Sequence, residues 1–440
     1  MKKFCYIFLA SIFLCASVFA QEKPIAFINA KIIPIVGAPI EQGILIVQNG
    51  KITAVGDART VRLTADLQKI DLLGKVIMPG LVDTHSHIAE PAGADGSSPI
   101  QPDVRILDSV NARAASIQRA KAGGITTANV MPGSGMLNSG QTLYLKLRDG
   151  AIKVDDLLIY DEKGIYAGGI KFANGTNPIR PGGGNFPGTR AKSAALVRDL
   201  FIKAQEYKAK IVKAGSDTTK LPPRDLAMEF LADVLDKKRV VHFHTHSHND
   251  IMTVLRLQKE FGFKVVLQHV SEAWKVADEI AKAKVPSSII MIDSPGGKLE
   301  TVDVSMTNGA ALEKSGALVG FHTDDQITDS RWFLRSAGMA VRFGMSREKA
   351  LYGMTMAGAI MLELDKKIGS LEAGKDADFI VLSGDPLSVY THVLETWVEG
   401  KKVFDRSNPA DYLIQVGGLG AGNDRFTHIH CFDGEFEGGN

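Results

Sequence analysis

The stretch MPGLVDTHSHIAEP, residues 78–91, runs from a β-branched apolar segment straight into two histidines one residue apart. Side chains at i and i+2 of a strand share a face, so His85 and His87 aim at one spot where the apolar run ends. The same period of two sets His242, His244 and His246 on one face of VVHFHTHSHND, residues 240–250. VVLQH ends on His269, and ALVGFHTD puts His322 and Asp324 on one face. Imidazole nitrogen with carboxylate oxygen and no thiolate suits Zn²⁺, or a similar divalent ion such as Mn²⁺, Fe²⁺ or Co²⁺. Such an ion in an open site lowers the pKa of a bound water to about 7 and polarises a carbonyl. The expected ligand set is His85, His87, His244, His269 and Asp324, with Asp324 also the general base and then the general acid.

The remaining histidines read differently. His242, two residues deeper than His244, reads as a hydrogen-bonded core residue, and His322 as a packing residue. His246 and His248 lie past the strand, where they read as loop residues or substrate contacts; His246 is also a ligand candidate. His392, His428 and His430 lie away from this set, and the HIHC at 428–431 sits isolated in a Gly-rich tail.

The elements that must position these residues alternate along the middle of the chain. GITTANVMPG follows the helix-like VNARAASIQRAKAGG, RVVHFHTH follows RDLAMEFLADVLDKK, and FKVVLQHV follows IMTVLRLQKEFG. SSIIMI and GALVGFHTDD come after further helical patterns. This rhythm over residues 81–364 predicts an α/β fold, a (β/α)₈ TIM-like barrel, with an open doubly wound sheet as the alternative. In such a barrel chemistry gathers at the C-terminal strand ends, where most of the histidines fall. Both flanks read as strands: Asn49-Gly50 and Glu399-Gly400 mark hairpin turns, and YLIQVGG (412–418) reads as a last strand. The Gly/Pro-rich segments 91–103 and 174–190 read as loops that shape a pocket. RPGGGNFPG (180–188) lacks the Lys-Ser/Thr of a phosphate-binding loop.

Composition narrows the partners. The 440 residues are 45% hydrophobic and 23% charged with a formal net charge of +2, and no Lys/Arg block argues for nucleic acid. Lys2 and Lys3, the apolar run from Phe4 to Ala16 and Val18-Phe19-Ala20 read as a signal peptide over residues 1–20. The apolar run is short for a membrane span, so no stable span is expected after cleavage. Removal of the leader leaves Cys431 as the last cysteine and excludes an intrachain disulfide. The expected location is periplasmic or secreted.

IMPGLVDTHSH resembles the Pro-Gly-Leu-Ile/Val-Asp-x-His-x-His signature of the amidohydrolase superfamily, metal-dependent hydrolases on a (β/α)₈ barrel. IGSLEAGKDADFIVLSGDP (368–386) is similar to the same family's C-terminal Gly-x-Leu-x-x-Gly-Lys-x-Ala-Asp segment. That resemblance implies a small β-sandwich built from both chain ends, here 21–80 and 365–416, with 417–440 as a Gly-rich tail. GITTANVMPGSGMLNSGQTLYLKL, GIKFANGTNP and FHTHSHNDI resemble imidazolonepropionase-like members. The likeness implies His85 and His87 as first-strand ligands, His244 and His269 as ligands on strands five and six, and Asp324 as the eighth-strand acid/base. Many relatives carry an acid in the segment matching ANGTNP, where this chain has Thr176; others bridge two ions with a carboxylated lysine, for which Lys171 and then Lys213 are the candidates. One ion or two stays open, as does homo-oligomerisation. The implied reaction is hydrolysis of a C–N bond in an amide, a short peptide or a cyclic amide, on a small-molecule or short-peptide substrate. Lactone, ester or phosphotriester hydrolysis and a non-catalytic scaffold are the alternatives. Arg180, Arg190 and Arg331 are candidate anchors for a substrate carboxylate.

Overall fold

Asn49 and Gly50 take φ of 50° and 74°, the left-handed pair that a two-residue hairpin needs, and Glu399 and Gly400 repeat it at 47° and 71°. Both turns join strands as their sequences predict. The computed structural model describes residues 23–91, 95–182, 184–291, 298–325 and 327–417. The leader at 1–20 and the histidines and cysteine of HIHC lie outside the described residues.

In chain order the strands are β1 (Ile25–Ile32), β2 (Ile40–Gln48), β3 (Lys51–Asp57), β4 (Gln68–Asp71) and β5 (Val76–Pro79). Next come β6 (Leu81–Ser86), β7 (Ile125–Val130), β8 (Asn138–Gln141), β9 (Leu143–Lys146) and β10 (Ile170–Ala173). Then follow β11 (Val241–Thr245), β12 (Val265–His269), β13 (Ser287–Ile289) and β14 (Val319–Phe321), and finally β15 (Phe379–Leu382), β16 (Val393–Val398) and β17 (Lys401–Asp405).

Strands from both chain ends share one eight-stranded sheet, in the order β17-β16-β15-β5-β1-β2-β3 with β4 also on β1. Its alternation is strict where the two ends meet. Ile77, Phe379 and Val381 turn to a core with Phe27 and Trp397, while Val76, Met78, Ile380 and Leu382 face the core of the central unit. The GKDADF segment is held by charge. Lys146 is buried, ion-paired with Asp376, 3.0 Å from Asp378 and 3.6 Å from Glu399, and Lys51 reaches Asp376 at 2.5 Å.

The central strands pair as β14-β13-β12-β11-β10-β8 and β6-β7-β9. From β10 to β14 every pairing is parallel, and helices such as Leu226–Leu235, His248–Phe261 and Asn308–Ser315 lead into β11, β12 and β14. Ser247 caps the helix His248–Phe261 by accepting from Asp250 N, and Gly262 ends it at φ 74°, so β12 starts at a defined place. One stave departs from the expected all-parallel pattern. Residues 138–146 run antiparallel to their neighbours, first as β8 on β10 and then as β9 on β7. β6 and β14 meet through the bond from Asp324 N to His85 O at 2.9 Å and through Asp83, which accepts from Thr323 N at 3.0 Å and Thr323 Oγ1 at 2.5 Å. These mixed sheets are consistent with a (β/α)₈-like barrel.

The strand expected at YLIQVGG is instead the end of a helix, Pro409–Val416. Asn408 caps it and Pro409 opens it with a preset φ, and Gln415 donates to the carbonyls of Ala122 and Val393. A β-rich local pattern gave way to a capped amphipathic turn with a packing partner. Among the described residues no helix is long and apolar enough to cross a membrane.

Candidate metal centre

The C-terminal ends of the parallel strands carry the histidines. The register pairs Lys171 with His242, Ala173 with His244 and Thr245 with His269, so residues from β10, β11 and β12 reach one level. His85 is the penultimate residue of β6 and Asp324 follows β14. His269 and Asp324 both have positive φ, 70° and 49°. Non-glycine residues rarely adopt this conformation, and such strain collects at functional sites.

His85, His87 and Asp324 form one compact group, all buried. Asp324 Oδ1 lies 3.0 Å from His87 Nε2 and 3.3 Å from His85 Nε2. His87 Nδ1 is 2.8 Å from the carbonyl of Met131. A carbonyl can only accept, so Nδ1 donates to it and Nε2 is the ring nitrogen that faces the carboxylate oxygen. With His85, these ligand atoms stand close enough together to hold one metal ion. The residues fit the ion that their chemistry implies.

A second group joins His85, His269 and His322, and a third joins His244, His246 and Glu300. The groups are continuous: the His269 ring lies 4.7 Å from that of His85 and 4.4 Å from that of His244. His322 Nε2 lies 3.0 Å from His269 Nδ1, and its own Nδ1 lies 2.7 Å from Ser288 Oγ. Burial, with neighbouring charges, holds His85, His244, His246 and His269 well below the ordinary imidazole range, and brings His322 to about 3. Neutral imidazoles are the state that ligates metals. Burial pushes the Asp324 carboxyl up, but His85 and His87 outweigh it and hold the group well below the usual carboxylate range.

Lys171 is fully buried, its Nζ 3.0 Å from His85 Nε2 and 3.1 Å from Met131 Sδ. Lys213 lies in the last turn of the helix Arg190–Ala214, exposed to solvent and outside these groups. His242 is a core residue, 2.8 Å from Tyr144 Oη and 3.2 Å from Gln268 Nε2, and burial lowers it to about 3. His248 Nδ1 pairs with Glu272 at 2.6 Å on the rim, and His392 is exposed.

The structure does not bring the three arginines to the histidines as open anchors. Arg180 donates to the carbonyls of Asn177, Ile179 and Gly135. Arg331 is engaged by Asp329 and by the carbonyls of Ile414 and Gly417, where it ties down the C-terminal helix. Arg190 pairs with Asp250 and stands 3.6 Å from Glu300. Glu300 itself has no signal in the sequence: GGKLETVD shows neither strand-end position nor ligand spacing.

The model of the Amidohydrolase family matches residues 76–405, most of the chain and all of the groups above. The chain belongs to the amidohydrolase family. Its fold matches the structure of an amidohydrolase from Thermotoga maritima, with a TM-score of 0.80 and 34% identity, over 87% of this chain and 100% of that one. Amidohydrolase tasK of Hapsidospora irregularis is 26% identical over 392 residues, 82% of this chain; the chain spans 40% of that relative's length. An imidazolonepropionase of Desulfotalea psychrophila is 24% identical over 83% of this chain and 93% of its own. Within this family the buried His/Asp groups are what a divalent-metal cofactor requires.

Proposed function

We propose that this amidohydrolase is a metal-dependent hydrolase that cleaves the C–N bond of an amide, a short peptide or a cyclic amide. The observation that carries the reading is the His87–Asp324 contact: Nδ1 is committed to Met131 O, and Nε2 faces Oδ1 at 3.0 Å. His85, His87 and Asp324 are the proposed ligands of one ion, with His244 and His269 the next ring nitrogens along the centre and Lys171, as a carbamate, the proposed bridging residue. A bound divalent ion, Zn²⁺ by preference, supplies a water acidic enough to attack at neutral pH and polarises the scissile carbonyl. Asp324 would hold the proton given up by the attacking water and return it to the leaving nitrogen. The buried histidines stay neutral and keep their lone pairs directed inward.

Cyclic-amide hydrolysis of the imidazolonepropionase type is one branch of this reading, supported by similarity at 24% identity. Peptide or N-acyl amide hydrolysis is weighted above it, because the proposed exported location, which rests on residues 1–20, exposes the enzyme to peptides. The test is a screen of the Zn²⁺-replete full chain against dipeptides, N-acyl amino acids, imidazolone-type cyclic amides and lactones. Turnover of amides over matched esters supports the reading. Turnover confined to lactones or esters, or none with any metal added, overturns it. Edman sequencing of the exported protein, expected to start at Gln21, tests the location.

A further inference from the structure

Glu300 enters the centre from outside the strand ladder and is buried. Its Oε2 accepts from the backbone amide of Thr176 at 2.8 Å and lies 3.6 Å from Arg190. Its Oε1 is buried with no hydrogen-bond partner. Opposite stand His246, whose Nδ1 lies 2.8 Å from Ser271 Oγ while its Nε2 is buried and unpartnered, and His244, both of whose ring nitrogens are buried and unpartnered. The ligand atoms of these three residues lie within 4.8 Å of one another, and the His244 and His246 rings meet edge-on at 4.6 Å.

Buried polar atoms ordinarily find partners, and Glu300 Oε1, His246 Nε2 and both ring nitrogens of His244 have none in the protein. A single cation would take one ligand atom from each of the three residues. The loop before Glu300's partner amide is shaped for the carboxylate. Gly175 sits at φ +76°, and a Cβ there would stand 2.4 Å from Glu300 Oε2. Glycine leaves room for the carboxylate, and the next residue, Thr176, contributes its N–H rather than a side chain. Position 176 therefore needs no acid: the carboxylate comes from 124 residues further along.

We propose that His244, His246 and Glu300 form a second divalent-cation seat, distinct from the His85–His87–Asp324 seat, with Glu300 as its carboxylate ligand. Two nitrogens and one oxygen suit Zn²⁺ or Co²⁺. Ser271 orients the His246 ring, and Thr176 N with Arg190 orients the carboxylate. The inference rests on the metal-centre reading but not on any substrate.

The test counts ions rather than turnover. The full chain is stripped, loaded with Co²⁺ or Zn²⁺, dialysed and measured by elemental analysis, with the Co²⁺ visible spectrum as a second readout. Wild type is expected to hold two ions, and Glu300→Gln and His246→Gln one each. His87→Asn is expected to lose the other ion and keep the one at Glu300. Ser271→Ala, which leaves all three ligands in place, is expected to weaken one ion by about 10–100-fold. It also reads the seat should the ligand variants fail to fold. Wild-type stoichiometry and a wild-type Co²⁺ spectrum in folded Glu300→Gln, or unchanged affinity for both ions in Ser271→Ala, overturns the proposal. Because no substrate enters, a negative amide screen leaves this result standing, and a failed ion count leaves the screen readable.

Discussion

Lys171 Nζ lies 3.0 Å from His85 Nε2, a contact between residues 86 positions apart that places a buried amine against a candidate ligand. Only an unprotonated lysine amine reacts with CO₂. If Lys171 is the bridge, ¹³C-bicarbonate is expected to give a carbamate resonance in the loaded protein that Lys171→Met lacks. That variant is expected to lose at least about 100-fold in turnover, with partial rescue by short carboxylic acids. Full turnover in Lys171→Met without added acid would dismiss the bridge.

Asp324 is both a proposed ligand and the proposed proton carrier. Asp324→Asn keeps an oxygen toward the ion but cannot accept a proton at neutral pH. The expected outcome is retained metal with a fall in kcat of about 10²–10⁴-fold. Elemental analysis beside steady-state kinetics separates the roles: metal loss in step with activity would make Asp324 a ligand alone.

Lys298 donates to Asn177 Oδ1 at 2.6 Å, and after burial its charge is the largest influence lowering His246. With Arg180 and Arg331 committed to backbone carbonyls and Asp329, Lys298 is, among the described residues, a candidate cation for a substrate carboxylate. Lys298→Met is expected to raise KM about tenfold for dipeptides with a free C-terminus and to leave their amidated counterparts unchanged. An equal effect on both would assign Lys298 to the loop's structure instead.

The buried pairing of Lys146 with Asp376, Asp378 and Glu399 predicts a pH-dependent stability. Burial pushes Asp376 up, but Lys146 and Lys51 bring it below its ordinary 3.8; Glu399, paired with Arg148 and Lys146, likewise ends below 4.5. Lowered carboxyls stabilise the fold above those ordinary values and lose that contribution as pH falls through the lowered ones. Asp378, raised by burial, works in the opposite sense. Lys146 is held above 10.5 by the three carboxylates despite its burial, so its contribution is present below that pH and lost above it. Lys146→Met is expected to cost about 3–5 kcal/mol near neutrality. Its urea midpoint is expected to fall less steeply than that of wild type below about pH 4. Parallel pH profiles would show that the cluster adds nothing.

Much of the fold was legible because it depends on local periods and turn chemistry. Asn49-Gly50 and Glu399-Gly400 turn where left-handed backbone is cheapest, and the paired strands follow. The helix at 409–416 was not legible, since Tyr412, Leu413 and Ile414 favour a strand locally while the cap at Asn408 and the contacts of Gln415 with Ala122 and Val393 decide otherwise. The antiparallel stave at 138–146 was hidden for a similar reason: strand direction is set by which neighbours accept the chain, and nothing in NSGQTLYLK states it.

By itself the sequence determined that His85 and His87 share a face and that further histidines stand at strand ends; a period of two suffices for that. Only the tertiary structure decided which of these meet, because contact between β6 and β14 places Asp324 between His85 and His87. It also decided that Glu300 stands in the place where a local reading sees only Thr176. Ligand cages are made of distances across the chain, and those are set by packing rather than by spacing along it.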